Sequence, residues 1–401
     1  MKIAIMGFGV VGSGVGEIIV KNQEGIRKNC GEAVEVAHIL DLRDFPDSEF
    51  KCFTKDFNDI LNDPEVGVVV ETMGGCNPAY KFTKELLLAG KHVITSNKEL
   101  VATHGTELLA IAKEKNINYL FEASVGGGIP IIRPIFSCLT AGSITDVIGI
   151  LNGTTNYILT QMFQCGETFE NALKEAQKKG YAESDPTADV EGHDTCRKIA
   201  ILSALAYGTA LDCSKISTEG ISGITSADVA YAEKSGYAIK LLGHSTRTED
   251  GVYAAVFPAF VPKNNQLAGI NDVFNGIVVK NAELDEVMFY GRGAGKLPTA
   301  NAVVSDVIDA VKHKTVNIGV DWKEYNEKWQ SEGATVRYAY YVRLKGAAVS
   351  DAEFETITLD GAEYGGEFAI ITRPMTKAEL CGFLAEKLSG CEVIGQMRLI
   401  G

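Results

Sequence analysis

The chain has 401 residues, too long for one ordinary hydrophobic core, so two or three domains are expected. Hydrophobic residues make up 46% and charged residues 22%, a soluble globular balance, and a net charge of -14 argues against a nucleic-acid surface, which needs a basic face. No window of about 18 uninterrupted apolar residues occurs, so no membrane span is expected.

The first five residues, Met1-Lys2-Ile3-Ala4-Ile5, run into glycines and then Glu17 without a small-residue cleavage site, which speaks against a signal peptide. The nine cysteines are scattered with no C-x-x-C pair, a usage that fits reduced thiols in a cytoplasmic protein rather than a disulfide framework or zinc site.

Residues 2–6 read as a short buried strand. Gly7-Phe8-Gly9-Val10-Val11-Gly12 follows at once, ahead of a helix running toward residue 22. A glycine turn between strand and helix lets backbone amides approach a pyrophosphate at the positive helix end. Alone, the pattern also describes a glycine turn without a ligand. A second apolar strand, 34–40, ends in Asp41. An acid there accepts hydrogen bonds from the adenosine ribose and favours NAD. Arg43 can face a 2′-phosphate instead, so NAD and NADP are not separated, and Asp41 also reads as a turn former. A third strand, 67–70, leads into Gly74-Gly75-Cys76-Asn77-Pro78-Ala79, and a helix over 80–89 stops at Gly90. A fourth strand, 92–95, ends in Ser96-Asn97-Lys98, a helix covers about 99–115, and a fifth strand, 118–121, ends in Glu122. Strands alternating with helices predict an α/β fold with a Rossmann-type doubly wound parallel sheet. Ligands of such sheets sit beyond the carboxyl ends of the strands, where these polar residues fall.

Three glycines, Gly126 to Gly128, then hold backbone close to something. A strand over 144–151 runs into Asn152-Gly153-Thr154-Thr155-Asn156, with helices beginning at 157 and covering 169–179. Residues 181–198 pack Glu183, Asp185, Asp189, Glu191 and Asp194 ahead of Arg197 and Lys198. Five carboxylates repel one another, so the stretch is either a solvated loop or a site that captures a cation. On the helix that follows, from near 192 to about 207, Asp194 and Lys198 are spaced i,i+4 and share a face. Lys198 aligns there with Leu202 and Leu205 of the buried stripe. The alternative is a surface salt bridge worth about 0.3–0.5 kcal/mol. Residues 297–311 read as a helix and 326–333 as polar linker. The tail offers strands at 336–344, 355–359, 368–372 and 393–400 and a helix at 377–388.

Three long motifs carry a resemblance. Gly149-Ile150-Leu151-Asn152-Gly153-Thr154-Thr155-Asn156-Tyr157-Ile158-Leu159, the run from Gly180 through Lys198 to Ile199, and the run from Gly293 through Lys296-Leu297-Pro298-Thr299 to Asp306 resemble homoserine dehydrogenases, in the family order. With the N-terminal part, the resemblance covers about residues 1–320. It implies a dinucleotide domain over 1–135 completed by a returning helix at about 297–320. An α+β substrate and dimerisation domain would span 136–296, with a linker over 321–333. The tail, 334–401, resembles an ACT domain whose first helix is missing or shortened. Such a module implies threonine as an effector, or, truncated, can pair edge to edge in an oligomer.

The implied activity is NAD(P)-dependent interconversion of L-aspartate 4-semialdehyde and L-homoserine, in threonine, methionine and isoleucine biosynthesis. The implied cofactor contacts are Gly7, Gly9, Val10, Val11, Gly12, Asp41, Arg43, Gly74, Gly75, Ser96, Asn97 and Gly293. Lys198 matches the family's catalytic acid/base, Asp194 the residue that aims it, and Lys98 a second active-site lysine. Glu183 and Asp189 match the acids that hold the substrate ammonium, with Tyr181, Gly153 and Thr154 beside them; Asp185 and Glu191 receive no role. Glu122, Val125, Gly127 and Ile129 resemble a structural monovalent-cation site, most simply for sodium. An adjacent Asp194 is expected to raise Lys198 above its ordinary pKa of about 10.4, so that homoserine oxidation favours alkaline pH. The partners implied are a small amino-acid substrate and further copies of the chain in a homodimer or homotetramer. The competing readings are another NAD(P)-dependent amino-acid or semialdehyde dehydrogenase, and a non-catalytic amino-acid-binding regulator.

Overall fold

The computed structural model describes residues 1–361 and 364–400. Ala362, Glu363 and Gly401, which fall within the expected tail unit, lie outside the described residues.

The first third alternates strand and helix: β1 (Lys2–Met6), α1 (Val10–Lys21), α2 (Gln23–Cys30), β2 (Glu35–Leu40), β3 (Phe53–Thr54), α3 (Asn58–Leu61), β4 (Val66–Glu71), α4 (Ala79–Leu88), β5 (His92–Thr95), α5 (Lys98–Glu114) and β6 (Tyr119–Leu120). All six strands are parallel, in the order β3-β2-β1-β4-β5-β6. Ile3, Ile5, Val68, Val69 and Val70 are fully buried, as a parallel sheet covered on both faces requires. The strand order reverses between β1 and β4, and the crevice there is where such sheets bind dinucleotides. Gly90 takes φ +82°, which ends the chain's run from α4 as a C-terminal glycine should.

The second part builds a mixed sheet with helices on it. Its elements are α6 (Ile132–Ser137), β7 (Ile144–Ile150), α7 (Gly153–Cys165), α8 (Phe169–Lys178), α9 (Thr187–Val190), α10 (His193–Tyr207), β8 (Ser217–Thr218), α11 (Ser226–Lys234), β9 (Tyr237–Thr248), β10 (Gly251–Pro262), β11 (Phe274–Asn281) and β12 (Asp285–Arg292). The helix α12 (Lys296–Lys312) then returns to the first sheet and packs on α1, α2, β4 and β5. Gly14 makes this possible, since a Cβ there would lie 3.0 Å from the Ala300 side chain.

The remaining elements are β13 (Gln330–Ser331), β14 (Ala339–Lys345), β15 (Phe354–Ile357), β16 (Glu367–Thr372), α13 (Lys377–Lys387) and β17 (Glu392–Leu399). The polar stretch read as linker contributes β13, which pairs with β10. The tail strands extend the second sheet, whose order is β12-β11-β7-β9-β10-β17-β14-β16-β15. The join is a short parallel pairing, Ala259 with Arg398 and Phe260 with Leu399, backed by Phe260 stacked on Tyr341 with ring centroids 4.2 Å apart. β17 is thus paired on both sides within the chain, and β15 is the tail strand that ends the sheet. No helix separates β14 from β15, so the described tail carries the single helix α13 where an ACT module has two. Among the described residues no helix is long and apolar enough to cross a membrane.

Candidate active site

The cofactor cleft begins where β1 meets α1. Gly7 adopts φ +90°, and a Cβ on Gly12 would sit 1.9 Å from the Gly7 carbonyl oxygen, so side chains at either position would close the turn. Gly9 is the N-cap of α1, and Val10 opens the helix, 67% exposed. Val11 lies in the same first turn. The adjoining cavity, ≈ 680 Å³, is lined by Gly7, Gly9, Asp41, Arg43, Lys55 and Gly74, among others. Asp41 Oδ2 accepts from the Phe8 amide at 2.7 Å and pairs with Arg43 Nη2 at 2.8 Å. The Arg43 guanidinium holds the Asp41 carboxyl well below the usual carboxylate range. Lys55, in an irregular segment, reaches the cavity unforeseen from the sequence; its only regular neighbour is the two-residue β3.

At the far end of the crevice one polar chain fixes the loop and helix beside it. Buried Glu71 accepts from Thr95 Oγ1 at 2.5 Å and from the Met73 amide at 2.8 Å, and burial raises its pKa. Thr95 Oγ1 in turn accepts from the Asn97 amide. Asn97 caps α5 by accepting from the Leu100 amide at 3.1 Å, and its amide nitrogen donates to the Gly75 carbonyl at 2.6 Å. Gly74 and Gly75 have φ of +79° and +68°. The loop after β4 is thereby tied to the start of α5, with Ser96 between them and Lys98 as the first helical residue.

Lys98 meets the second part of the chain. Asp194, in the first turn of α10, pairs through Oδ1 with Lys98 Nζ at 2.5 Å and through Oδ2 with Lys198 Nζ at 2.8 Å. Lys198 also donates to the Leu151 carbonyl at 2.7 Å. Asn152, the N-cap of α7, donates from Nδ2 to Asp194 at 2.9 Å and to Asp189 at 2.7 Å, while its Oδ1 accepts from the Thr155 amide. Both donors of one side-chain amide are thus spent on two carboxylates, a bridging role the sequence did not suggest. Gly153 is required by the Val273 carbonyl oxygen, which lies 2.8 Å from where its Cβ would be. Thr154 donates to the carbonyl of Tyr181, whose ring packs edge-on against Tyr157.

The charges in this cluster are pushed apart. Burial opposes the Asp194 anion, but the two lysines overcome it and hold the carboxyl well below its ordinary value. Burial likewise opposes the Lys98 ammonium, but Asp194 wins and the pKa rises. For Lys198 burial is the largest influence and outweighs Asp194, with Lys98 adding repulsion, so its pKa falls. This reverses the expectation that Asp194 would raise it, because Lys198 is 7% exposed and shares its anion with a second lysine.

The five acids separate. Asp189 is half-buried, contacts Asn152 and has its pKa raised by burial; it has no cation beside it in an ion pair among the described residues. Asp185 lies just ahead of α9 and accepts from the Thr187 amide at 3.1 Å and its hydroxyl at 2.6 Å, a local turn contact for an acid left without a role. Glu183 is exposed, and only its backbone carbonyl is engaged, by Gln177. The structure therefore does not bring the Glu183 carboxylate to the Lys98–Asp194–Lys198 cluster. Glu191 lies against Gly220.

Glu122 turns inward and caps α6. Its carboxylate accepts from the amides of Ile131, Ile132 and Arg133 at 2.7 to 2.8 Å. Its side chain is therefore committed to backbone donors. By contrast, among the described residues none donates a hydrogen bond to the carbonyls of Val125, Gly127 or Ile129, all buried. Gly293 packs on this loop: its carbonyl oxygen lies 2.3 Å from the position of a Gly127 Cβ. It is not among the residues that line the cavity beside Gly7 and Asp41.

Comparison with known proteins agrees across the chain. Residues 7–122 match the family model for the NAD binding domain of homoserine dehydrogenase, and residues 130–308 match the homoserine dehydrogenase model. A homoserine dehydrogenase of Pseudomonas aeruginosa is 44% identical over 317 residues, which are 79% of this chain and 73% of that protein. The crystal structure of a homoserine dehydrogenase from Thiobacillus denitrificans superposes with a TM-score of 0.88 at 34% identity, covering 100% of this chain and 98% of that one. A hyperthermophilic archaeal homoserine dehydrogenase in complex with NADPH has a TM-score of 0.67 at 27% identity, covering 77% of this chain and 97% of that one.

Proposed function

The chain belongs to the homoserine dehydrogenase family and is an NAD(P)-dependent oxidoreductase, and from that premise we propose that Lys198 is its proton-transfer residue in interconverting L-aspartate 4-semialdehyde and L-homoserine. The observation that carries this reading is the single carboxylate of Asp194 held between Lys98 and Lys198. A pair of like groups whose environments drive their pKa values apart is how acid and base duties are divided in one site.

The cleft residues fit a dinucleotide: the Gly7–Gly12 contact keeps the turn open, and α1 offers unpaired amides to a pyrophosphate. When bound, the nicotinamide supplies or takes the hydride at the substrate carbon. In the reducing direction the ammonium of Lys198 gives its proton to the oxygen that gains charge. In the oxidising direction the neutral amine takes the hydroxyl proton. Asp194 and the Leu151 carbonyl aim Lys198 Nζ, and Asn97 fixes Lys98 at the start of α5. Lys98 keeps its charge and suits the substrate carboxylate or the reacting oxygen. Asp189, a carboxylate with no cation paired to it, suits the substrate ammonium, with Thr154 and Tyr181 beside it. Glu183 joins only by a movement of the exposed loop that carries it.

Residues 1–135 with α12 serve as the cofactor unit and 136–296 as the substrate unit. Arg43 and Lys55 on the same cavity favour a cofactor with a 2′-phosphate, while Asp41 is already neutralised by Arg43. The free carbonyls of Val125, Gly127 and Ile129 fit a hard monovalent cation such as sodium, holding the loop in shape. The pathway assignment to threonine, methionine and isoleucine biosynthesis follows from the reaction.

The test is homoserine oxidation followed by nicotinamide absorbance with NAD and NADP. Lys198→Ala is expected to lower turnover by about 10²–10⁴ with cofactor affinity kept. Equal loss of cofactor binding would make Lys198 structural.

A further inference from the structure

Two of the cysteines are neighbours, and one of them sits in the catalytic helix. Cys196 is buried on α10 between Asp194 and Lys198. Its Sγ donates to the Cys213 carbonyl at 3.6 Å. Cys213 opens a short 3-10 turn, Cys213–Lys215, and is half-buried. That turn is anchored elsewhere: Gln330 accepts from the Asp212 amide at 2.9 Å and donates to the Asp212 carbonyl at 3.1 Å. The Cys213 side chain pulls the Cys196 pKa down to about 7 against the opposing effect of burial, with Arg197 adding a smaller pull. Cys213 is pushed far up in return. Cys196 is thus the sulfur that gives up its proton more readily, and Cys213 the one that keeps it.

We propose that Cys196 and Cys213 are a reversible dithiol–disulfide site for small oxidants of the peroxide class, and that closing the disulfide disables the adjoining proton-transfer residue. The Cys196 thiolate attacks the peroxide; an S–O bond forms, the O–O bond breaks, and the departing oxygen takes a proton to leave as water. The Cys213 sulfur then attacks the resulting sulfenic acid; an S–S bond forms, the S–O bond breaks, and the hydroxyl leaves as a second water with the Cys213 proton. Two thiols lose two electrons and the peroxide gains them. A dithiol reductant reverses the bond by exchange. Bonded sulfurs sit about 2.05 Å apart, well inside non-bonded contact, so closure draws α10 toward the anchored turn. Lys198 lies just over half a turn further along that helix. A displacement of about 1 Å at a catalytic group can cost 10²-fold.

The effect on turnover rests on the role assigned to Lys198; the bond itself does not. The full chain is reduced, treated with hydrogen peroxide, alkylated, and mapped without reductant. A peptide pair linked through Cys196 and Cys213 is expected, with turnover lowered at least tenfold and restored by dithiothreitol. Cys196→Ala is expected to keep the activity of the reduced protein and resist peroxide; Cys213→Ala is expected to yield no linked pair. Absence of the linked pair overturns the proposal, as does its formation with turnover unchanged. Equal peroxide sensitivity in Cys196→Ala overturns it too and moves the effect to another thiol, with Cys76 of the loop after β4 the first to examine. If the reduced protein oxidises no homoserine, the functional reading fails, and the linked peptide still decides the disulfide.

Discussion

Asp194→Asn keeps the shape of the side chain and removes its charge. The carboxylate it replaces lies 2.8 Å from the Lys198 ammonium and 2.5 Å from that of Lys98. Leaving a buried ion without its partner costs about 3–5 kcal/mol. The Lys98 side chain is 41% exposed and can turn to water. Only the Lys198 share therefore counts in full, and the expected loss of stability is about 3 kcal/mol, the low end of that range. The kinetic effect has a definite sign. Burial lowers the pKa of Lys198 and Asp194 is the largest influence raising it. Removing Asp194 lowers it further. In the proposed mechanism reduction needs protonated Lys198, so its rate falls as pH rises through that pKa, and in the variant the fall comes at lower pH. Oxidation needs the neutral amine, and its rise with pH also begins lower. With aim lost as well, kcat for reduction near neutral pH is expected to drop by about 10²–10⁴. Stopped assays of nicotinamide absorbance in both directions across the pH range measure this, with urea unfolding for stability. An inflection that moves to higher pH, or wild-type turnover in both directions, would refute the reasoning.

Asp189→Asn is expected to raise KM for homoserine by tenfold or more, a charge-assisted contact being worth about 1.5–3 kcal/mol, with cofactor affinity unchanged by titration. Glu183→Gln is expected to change KM by less than about threefold if the exposed loop stays open, since surface charges contribute about 0–1 kcal/mol; a larger rise in steady-state KM shows that the loop closes on substrate. Arg43→Ala and Lys55→Ala are each expected to raise KM for NADP more than KM for NAD. Lys240, on β9, is buried against the Ile270 carbonyl, Asn156 and Asn271, and burial lowers its pKa to about 8. The unfolded chain binds this proton up to a higher pH, so native stability gains as pH rises from about 8 toward 10. Lys240→Met is expected to flatten that gain in denaturant titrations at several pH values.

The first sheet was legible because parallel strands are continuous apolar runs and each ends in a marker such as Gly7, Asp41 or Asn97. β5 (His92–Thr95) and β1 (Lys2–Met6) begin and end where the sequence places them. The second sheet was mostly not. β9 and β10 are twelve residues each, with unbroken buried runs of seven and ten, so no alternation marks a face, and Gly243 and Pro258 interrupt the propensity signal. The site was read by spacing where partners lie on one helix, as with Asp194 and Lys198. Asn152 was out of reach, because its two carboxylates are 37 and 42 residues away. The direction of the Lys198 shift was misjudged for a related reason: spacing reveals the anion but neither the depth of burial nor the second lysine.

Those long-range partners decide what the site is as a machine. Lys98 opens α5 beside the first sheet, Lys198 and Asp194 lie on α10, and Asn152 caps α7. Asp194 therefore joins the two parts of the chain by charge, and Asn152 ties that junction to Asp189, the acid proposed for the substrate ammonium. An ammonium arriving at Asp189 competes with the Asn152 amide for that carboxylate. Released there, Asn152 donates more fully to Asp194, which loosens the hold of Asp194 on its lysines. The added positive charge acts in the same direction, so the proton affinity of Lys198 in the complex falls below that in the free protein. Substrate binding and proton supply are coupled through one side-chain amide. The pH dependence of kcat should accordingly inflect at lower pH than that of kcat/KM, and Asn152→Ala should bring the two closer together.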